Sequence, residues 1–168
     1  TASHRHFNIY QDFHMATYRC HVFVLGKMMD IIKLSLIILL ALQLLLVCYS
    51  DICNRIISNK FIISIIFSSI AWGYTTNSTV NITIPLFSLL MGYIIFHFKL
   101  IGGGDVKLIT ALLLALTAEQ SLDFIIYTAI MGGVVMIIGL LINKHDIQQR
   151  GVPYAVAITM GFALSLFT

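Results

Sequence analysis

The chain has 168 residues, of which 59% are hydrophobic and only 10% charged; an ordinary soluble domain has about 45–50% apolar and about 25% charged residues. With 10 Lys+Arg, 7 Asp+Glu and a mean hydropathy of +0.95, the charges cannot cover a water-facing globule, which excludes a soluble domain, a disordered chain and a coiled coil. A net charge of +3, thinly scattered, gives no footing for a nucleic-acid partner. The expected class is an all-α integral membrane protein, a bundle of about six transmembrane helices with the lipid bilayer as its solvent.

Residues 1–27 differ from the rest. They hold four of the six histidines (His4, His6, His14 and His21), three basic residues and one acid, without a useful apolar run. No signal-peptide pattern is present. Met28-Met29 directly precedes the first long apolar stretch. The expectation is therefore an appended or mis-assigned segment over 1–27 and a membrane domain over 28–168. Cys20, Cys48 and Cys53 show no C-x-x-C spacing and read as inert thiols.

Six apolar runs follow, at Ile31–Tyr49, Ile56–Trp72, Ile82–Phe98, Val106–Ala118, Leu122–Ile142 and Val152–Phe167. A span needs about 20 residues, so the fourth run is undersized. No segment alternates as a membrane β-strand would. Lys and Arg divide unevenly among the breaks. Arg55 and Lys60, Lys99 and Lys107, and Lys144 and Arg150 occupy the first, third and fifth, while the second and fourth hold none. The positive-inside rule then puts the three basic breaks in the cytoplasm.

Asp51 and Asp105 fall on that cytoplasmic side, at the ends of apolar runs; Asp146 lies in the last basic break. Asp30, Glu119 and Asp123 read as solvated ends on the other side. Two plain readings compete with a functional one. Asp105 can cap a helix after a glycine turn, and Asp51 can pair with Arg55 four positions on. The run Gly102-Gly103-Gly104 beside Asp105 shifts the balance, because it predicts irregular backbone lining a wet cavity. Paired carboxyls at such a place cannot both ionise easily, so one keeps a proton while the other acts as base. The base activates a water against an amide carbonyl and the acid protonates the carbonyl oxygen. Such chemistry needs no cofactor: neither zinc nor S-adenosylmethionine is expected.

Gly102-Gly103-Gly104-Asp105 fits the Gly-x-Gly-Asp motif of membrane aspartic peptidases, and Gly104-Asp105-Val106-Lys107-Leu108 resembles its form in type IV prepilin peptidases. The stretch from Asp51 to Asn59 is similar to that family's first aspartate box, with Ser58 where proline is usual. Gly151-Val-Pro-Tyr-Ala-Val-Ala-Ile158 is similar to its proline-containing segment before the last helix. The three matches occur in the family's order across most of 31–168. The resemblance implies Asp51 and Asp105 as the catalytic pair, with Gly102, Gly104, Lys107 and Asn59 in support. It also implies a bacterial inner-membrane enzyme that removes the short basic leader from prepilin or pseudopilin precursors. Lacking C-x-x-C pairs, the chain looks like the short form of tight-adherence (Flp-type) pilus systems. Two other readings stay open: a small proton- or cation-coupled transporter subunit, for which Gln43 is the one strong polar group in mid-span, and a non-catalytic pilus assembly factor. Gly132-Gly133 read as a helix-packing site, and His97 and His145 as surface residues.

Overall fold

The computed structural model describes the backbone of residues 2–54, 57–98, 101–150 and 152–167, and the side chains of these outside 2–21 and 142–150. Among the described residues every regular element is a helix: α1 (Ala2–Asn54), α2 (Asn59–Asn77), α3 (Thr83–His97), α4 (Gly103–Leu113), α5 (Ala118–Arg150) and α6 (Tyr154–Ser165). Each of the six apolar runs corresponds to one helix. Arg55, Lys99, and the side chains of Cys20, Lys144, His145, Asp146 and Arg150 lie outside the described residues.

The chain divides into a unit of residues 1–35 and a unit of residues 36–168. The first is the N-terminal part of α1, which runs through position 27 without a break, and its side chains from Val22 onward are exposed or half-buried. The second holds the core. There α5 packs on α6, while α4 receives α2, α3 and α6. Thus α4, the shortest helix, is central. Its Leu108, Leu112 and Leu113 are fully buried against Leu40, Leu44 and Val47 of α1, Ile65 of α2 and Ile158 of α6.

Small residues set the close approaches. A Cβ on Gly73 of α2 would come within 2.6 Å of the Leu114 carbonyl oxygen, and one on Gly161 of α6 would strike the Thr128 backbone of α5. Beside that contact, the rings of Phe124 and Phe162 meet edge to face at 6.1 Å. Gly132 packs against the Tyr154 ring, as a helix-packing residue should, whereas Gly133 faces open space.

Several boundaries depart from the apolar pattern: α1 reaches back to Ala2, α2 runs on to Asn77 and α5 to Arg150. α5 starts at Ala118 rather than near Leu122, because Thr117 and Gln120 form a reciprocal cap. The Thr117 N–H donates to Gln120 Oε1 at 3.2 Å, and the Gln120 N–H donates to Thr117 Oγ1 at 3.3 Å. α4 stops at Leu113, five residues short of the apolar run. Two helices, Val22–Asn54 and Ala118–Leu141, are long and apolar enough to cross a bilayer; Thr83–His97 and Tyr154–Ser165 are apolar but shorter. Only 22% and 17% of the residues in the two long apolar windows are buried, which separates them from the core helices of a soluble protein.

Candidate active site

Asp51 lies in the last turn of α1 and is 7% exposed. It is not a solvated surface acid, as the ion-pair reading required. Its Oδ2 accepts the Ala155 N–H of α6 at 3.1 Å. One turn earlier on α1, Cys48 Sγ lies 3.1 Å from Thr159 Oγ1 and donates to the Ala155 carbonyl at 3.5 Å. Thr159 Oγ1 in turn donates to that carbonyl at 2.8 Å. The end of α1 and the first turns of α6 are thereby tied at neighbouring points.

Asp105 lies in the first turn of α4, outside both candidate spans. The glycine run is not irregular there. Gly103 and Gly104 are helical, and Gly102 is the N-cap with φ −68° and ψ 141°, a conformation open to any residue. Their role is spatial. A Cβ on Gly102 would sit 2.9 Å from Asp105 Oδ2, and one on Gly104 would sit 3.2 Å from Ile57 Cβ. A Cβ on Gly103 would meet the edge of the Phe96 ring at 3.3 Å. The Asp105 carboxyl therefore lies back over Gly102, so the capping reading is partly right. The helix N-terminus supplies the place, and Asp105 fills the third helical position rather than the cap itself.

Asp105 is half-buried, and this burial is the main force pushing its carboxyl from 3.8 up to about 6. The Asp51 charge adds to the rise, and a backbone hydrogen bond at Gly102 opposes it. Two acids 54 positions apart in sequence are thus within electrostatic reach of each other.

The supporting residues also meet. Lys107 Nζ donates to Asn59 Oδ1 at 3.1 Å, joining the first turn of α2 to that of α4. Ser58, which stands where the resemblance expects proline, is the N-cap of α2 with φ −66° and makes no side-chain capping bond. A proline ring fixes nearly that φ. Gln43 is buried and its Nε2 donates to Ser64 Oγ at 2.8 Å, tying α1 to α2, while its Oε1 has no hydrogen-bond partner among the described residues. Fully buried Val47 lies between Gln43 and Asp51 along α1. Asp123 is half-buried near the start of α5, and Glu119 and His97 are exposed. Sequence reasoning missed Ala155, whose contribution is a backbone N–H; Pro153 just before it was the only residue-type signal.

No curated protein and no solved structure matches the chain. The family model described as type IV leader peptidase family matches residues 38–137. That stretch contains Asp51, Asn59, the three glycines, Asp105 and Lys107. Since the match covers more than half of the chain, the protein belongs to the type IV leader peptidase family and is a peptidase by that membership.

Proposed function

We propose that this protein is an integral membrane aspartic endopeptidase that removes the short basic leader from prepilin-like precursors of the Flp type. The observation that carries the reading is the placement of two acids of the matched stretch, Asp51 buried in the last turn of α1 and Asp105 half-buried in the first turn of α4, where burial and the Asp51 charge both push the Asp105 carboxyl up. Asp51 takes a proton from a water molecule, and the resulting hydroxide adds to the carbonyl carbon of the scissile peptide bond. Asp105 gives its proton to the carbonyl oxygen. The tetrahedral adduct then collapses: one hydroxyl returns its proton to Asp105 as the C=O bond re-forms, the C–N bond breaks, and the proton held on Asp51 passes to the leaving amine. Gly102 and Gly104 leave room for this arrangement, and the Lys107–Asn59 bond braces it. The step uses neither metal nor cofactor.

Several features support a membrane setting. Large apolar side chains are exposed along α1, α3 and α5, among them Leu45, Leu86, Phe87, Ile137 and Leu141, in an amount that water does not tolerate. The six-helix bundle is read as lying in a bacterial inner membrane, with the first turn of α4 at the membrane surface. The six-to-none distribution of Lys and Arg supports a cytoplasmic side for the acids. A precursor's apolar stalk would lie in the bilayer with its leader junction at that surface.

Co-expression with a Flp-type prepilin, read as a mobility shift on leader loss, tests the proposal. Asp51→Asn and Asp105→Asn should each abolish cleavage, and the double variant should be no worse than either, because neither acid works alone. The side-chain amide introduced by Asp51→Asn still offers an oxygen to the Ala155 N–H, so protein level should hold. Asp123→Asn should cleave normally. An inserted Asp105→Asn protein with wild-type cleavage would end the reading.

A further inference from the structure

The resemblance and the family match account for Asp51 and Asp105; the start of α6 lies beyond the matched residues 38–137, and the resemblance of residues 151–158 to the family's proline-containing segment gives no role to any residue there. Three observations meet there. The first-turn amides of a helix have no acceptor within the helix, and α6 has no side-chain cap of its own, with Pro153 at the N-cap position. The Ala155 N–H instead donates to the side chain of Asp51, from an element 104 positions away in sequence. Ala155 is completely buried.

The rest of the contact fixes register. Cys48, three residues before Asp51, touches Thr159 Oγ1 and the Ala155 carbonyl, and Thr159 holds that same carbonyl. One face of α1 therefore grips Ala155 on both sides of its Cα: Asp51 takes its N–H and Cys48 its C=O. A slip of α6 by one residue would break the bonds of Asp51 and Cys48 to α6 together, while the Thr159–Ala155 bond, internal to α6, would travel with it.

We propose that Ala155 is a positioning residue of the peptidase, its backbone N–H tying down Oδ2 of Asp51 so that Oδ1 alone is presented to the attacking water, with Cys48 and Thr159 keeping α6 in register. The proposal rests on the aspartic peptidase reading given above. A carboxylate free to rotate would exchange its two oxygens and spend time aimed away from the water; one held by a fixed donor is preorganised. Asp105 on α4 and Cys48 on α1 itself both feel the Asp51 charge.

An amide-to-ester exchange is the direct test. Ala155→lactate replaces the N–H by an ester oxygen and leaves the side chain unchanged. The same exchange at Val156, whose amide is not bonded to Asp51, is the comparison. Assayed on a Flp-type prepilin precursor in membranes, the ester at 155 should lower kcat by on the order of tenfold or more with KM within about twofold, and the ester at 156 should leave both unchanged. Thr159→Val should lower kcat in the same direction, and Thr159→Ser should restore it. Wild-type kcat for the ester at 155 would overturn the proposal, and so would equal losses at 155 and 156, which mean only a weakened helix. Failure of the underlying reading looks different: Asp105→Asn would still cleave.

Discussion

Lys107 and Asn59 are 48 positions apart and joined by a 3.1 Å hydrogen bond from ammonium to amide oxygen. The bond crosses between the helix that begins after the first acid and the helix that carries the second. Its geometric effect is to hold the start of α2 and the start of α4 at one spacing.

Because the pair is exposed, its energy is modest, about 1 kcal/mol. Lys107→Met and Asn59→Ala should each reduce kcat/KM for precursor cleavage by about fivefold. The double variant should lose no more than the worse single one. A multiplicative loss in this double-mutant cycle would mean that the two residues act separately.

Asp105 gives the pH dependence. Its carboxyl releases its proton at about 6 in the folded protein, because of burial first and the Asp51 charge second. The protonated acid is the active form, so kcat/KM should fall as pH rises through about 6, with an apparent midpoint that belongs to the pair. Stability follows the same sign. Below the unfolded value of 3.8 both states carry the proton and no penalty exists. Between 3.8 and about 6 the folded state binds more protons, so stability declines with rising pH and then levels off. Asp105→Asn removes the penalty. It should raise stability by on the order of 2 kcal/mol at pH 7.5 and leave it unchanged near pH 3.5, as thermal unfolding in detergent would read.

The three glycines should not respond alike to alanine. Gly103→Ala meets only the edge of Phe96, a ring that can turn away, and gains helix propensity. Gly102→Ala drives a methyl into the Asp105 carboxylate, and Gly104→Ala presses on Ile57 at its Cβ, close to the backbone. Cleavage should survive at position 103 and fall about fivefold or more at 102 and 104, as about 1 kcal/mol or more of displacement at the site implies. Equal activity of all three variants would contradict this account.

Ser58→Pro should be accepted. The native φ of −66° is the one a proline ring imposes, so the gain comes from a stiffer unfolded chain, about 0.4–1 kcal/mol. Thermal unfolding should shift upward with cleavage unchanged; a drop in either would show that the Ser58 N–H is needed.

Much of this protein is legible in its amino acids alone. Apolar runs broken by turns mark helices, and six runs become six helices because the breaks are polar enough to interrupt each one. The start of α5 is masked because Thr117, Glu119 and Gln120 dilute the apolar signal, although Thr117 and Gln120 spell a capping box. Three glycines in a row suggest irregular backbone because glycine weakens helices; here the run is helical, and the reason for it is the room needed by Ile57, Phe96 and the Asp105 carboxylate. Asp51 and Asp105 stand out because acids beside apolar runs are costly. The Ala155 donor is hidden, since every residue but proline carries an N–H and no side-chain identity reports which one is used.

The order in which the parts are made has a consequence for when the enzyme can act. Asp51 and Asp105 are synthesised early, but the amide that holds Asp51 belongs to position 155, in α6. At about 5–20 residues per second, the ribosome reaches it roughly 2–10 s after Asp105. Through that interval a nascent chain holds both acids with the end of α1 still without its bond to α6. On the proposed role of Ala155, full activity would wait until α6 has been made, and a chain stalled before that helix would cleave more slowly, by about tenfold or more.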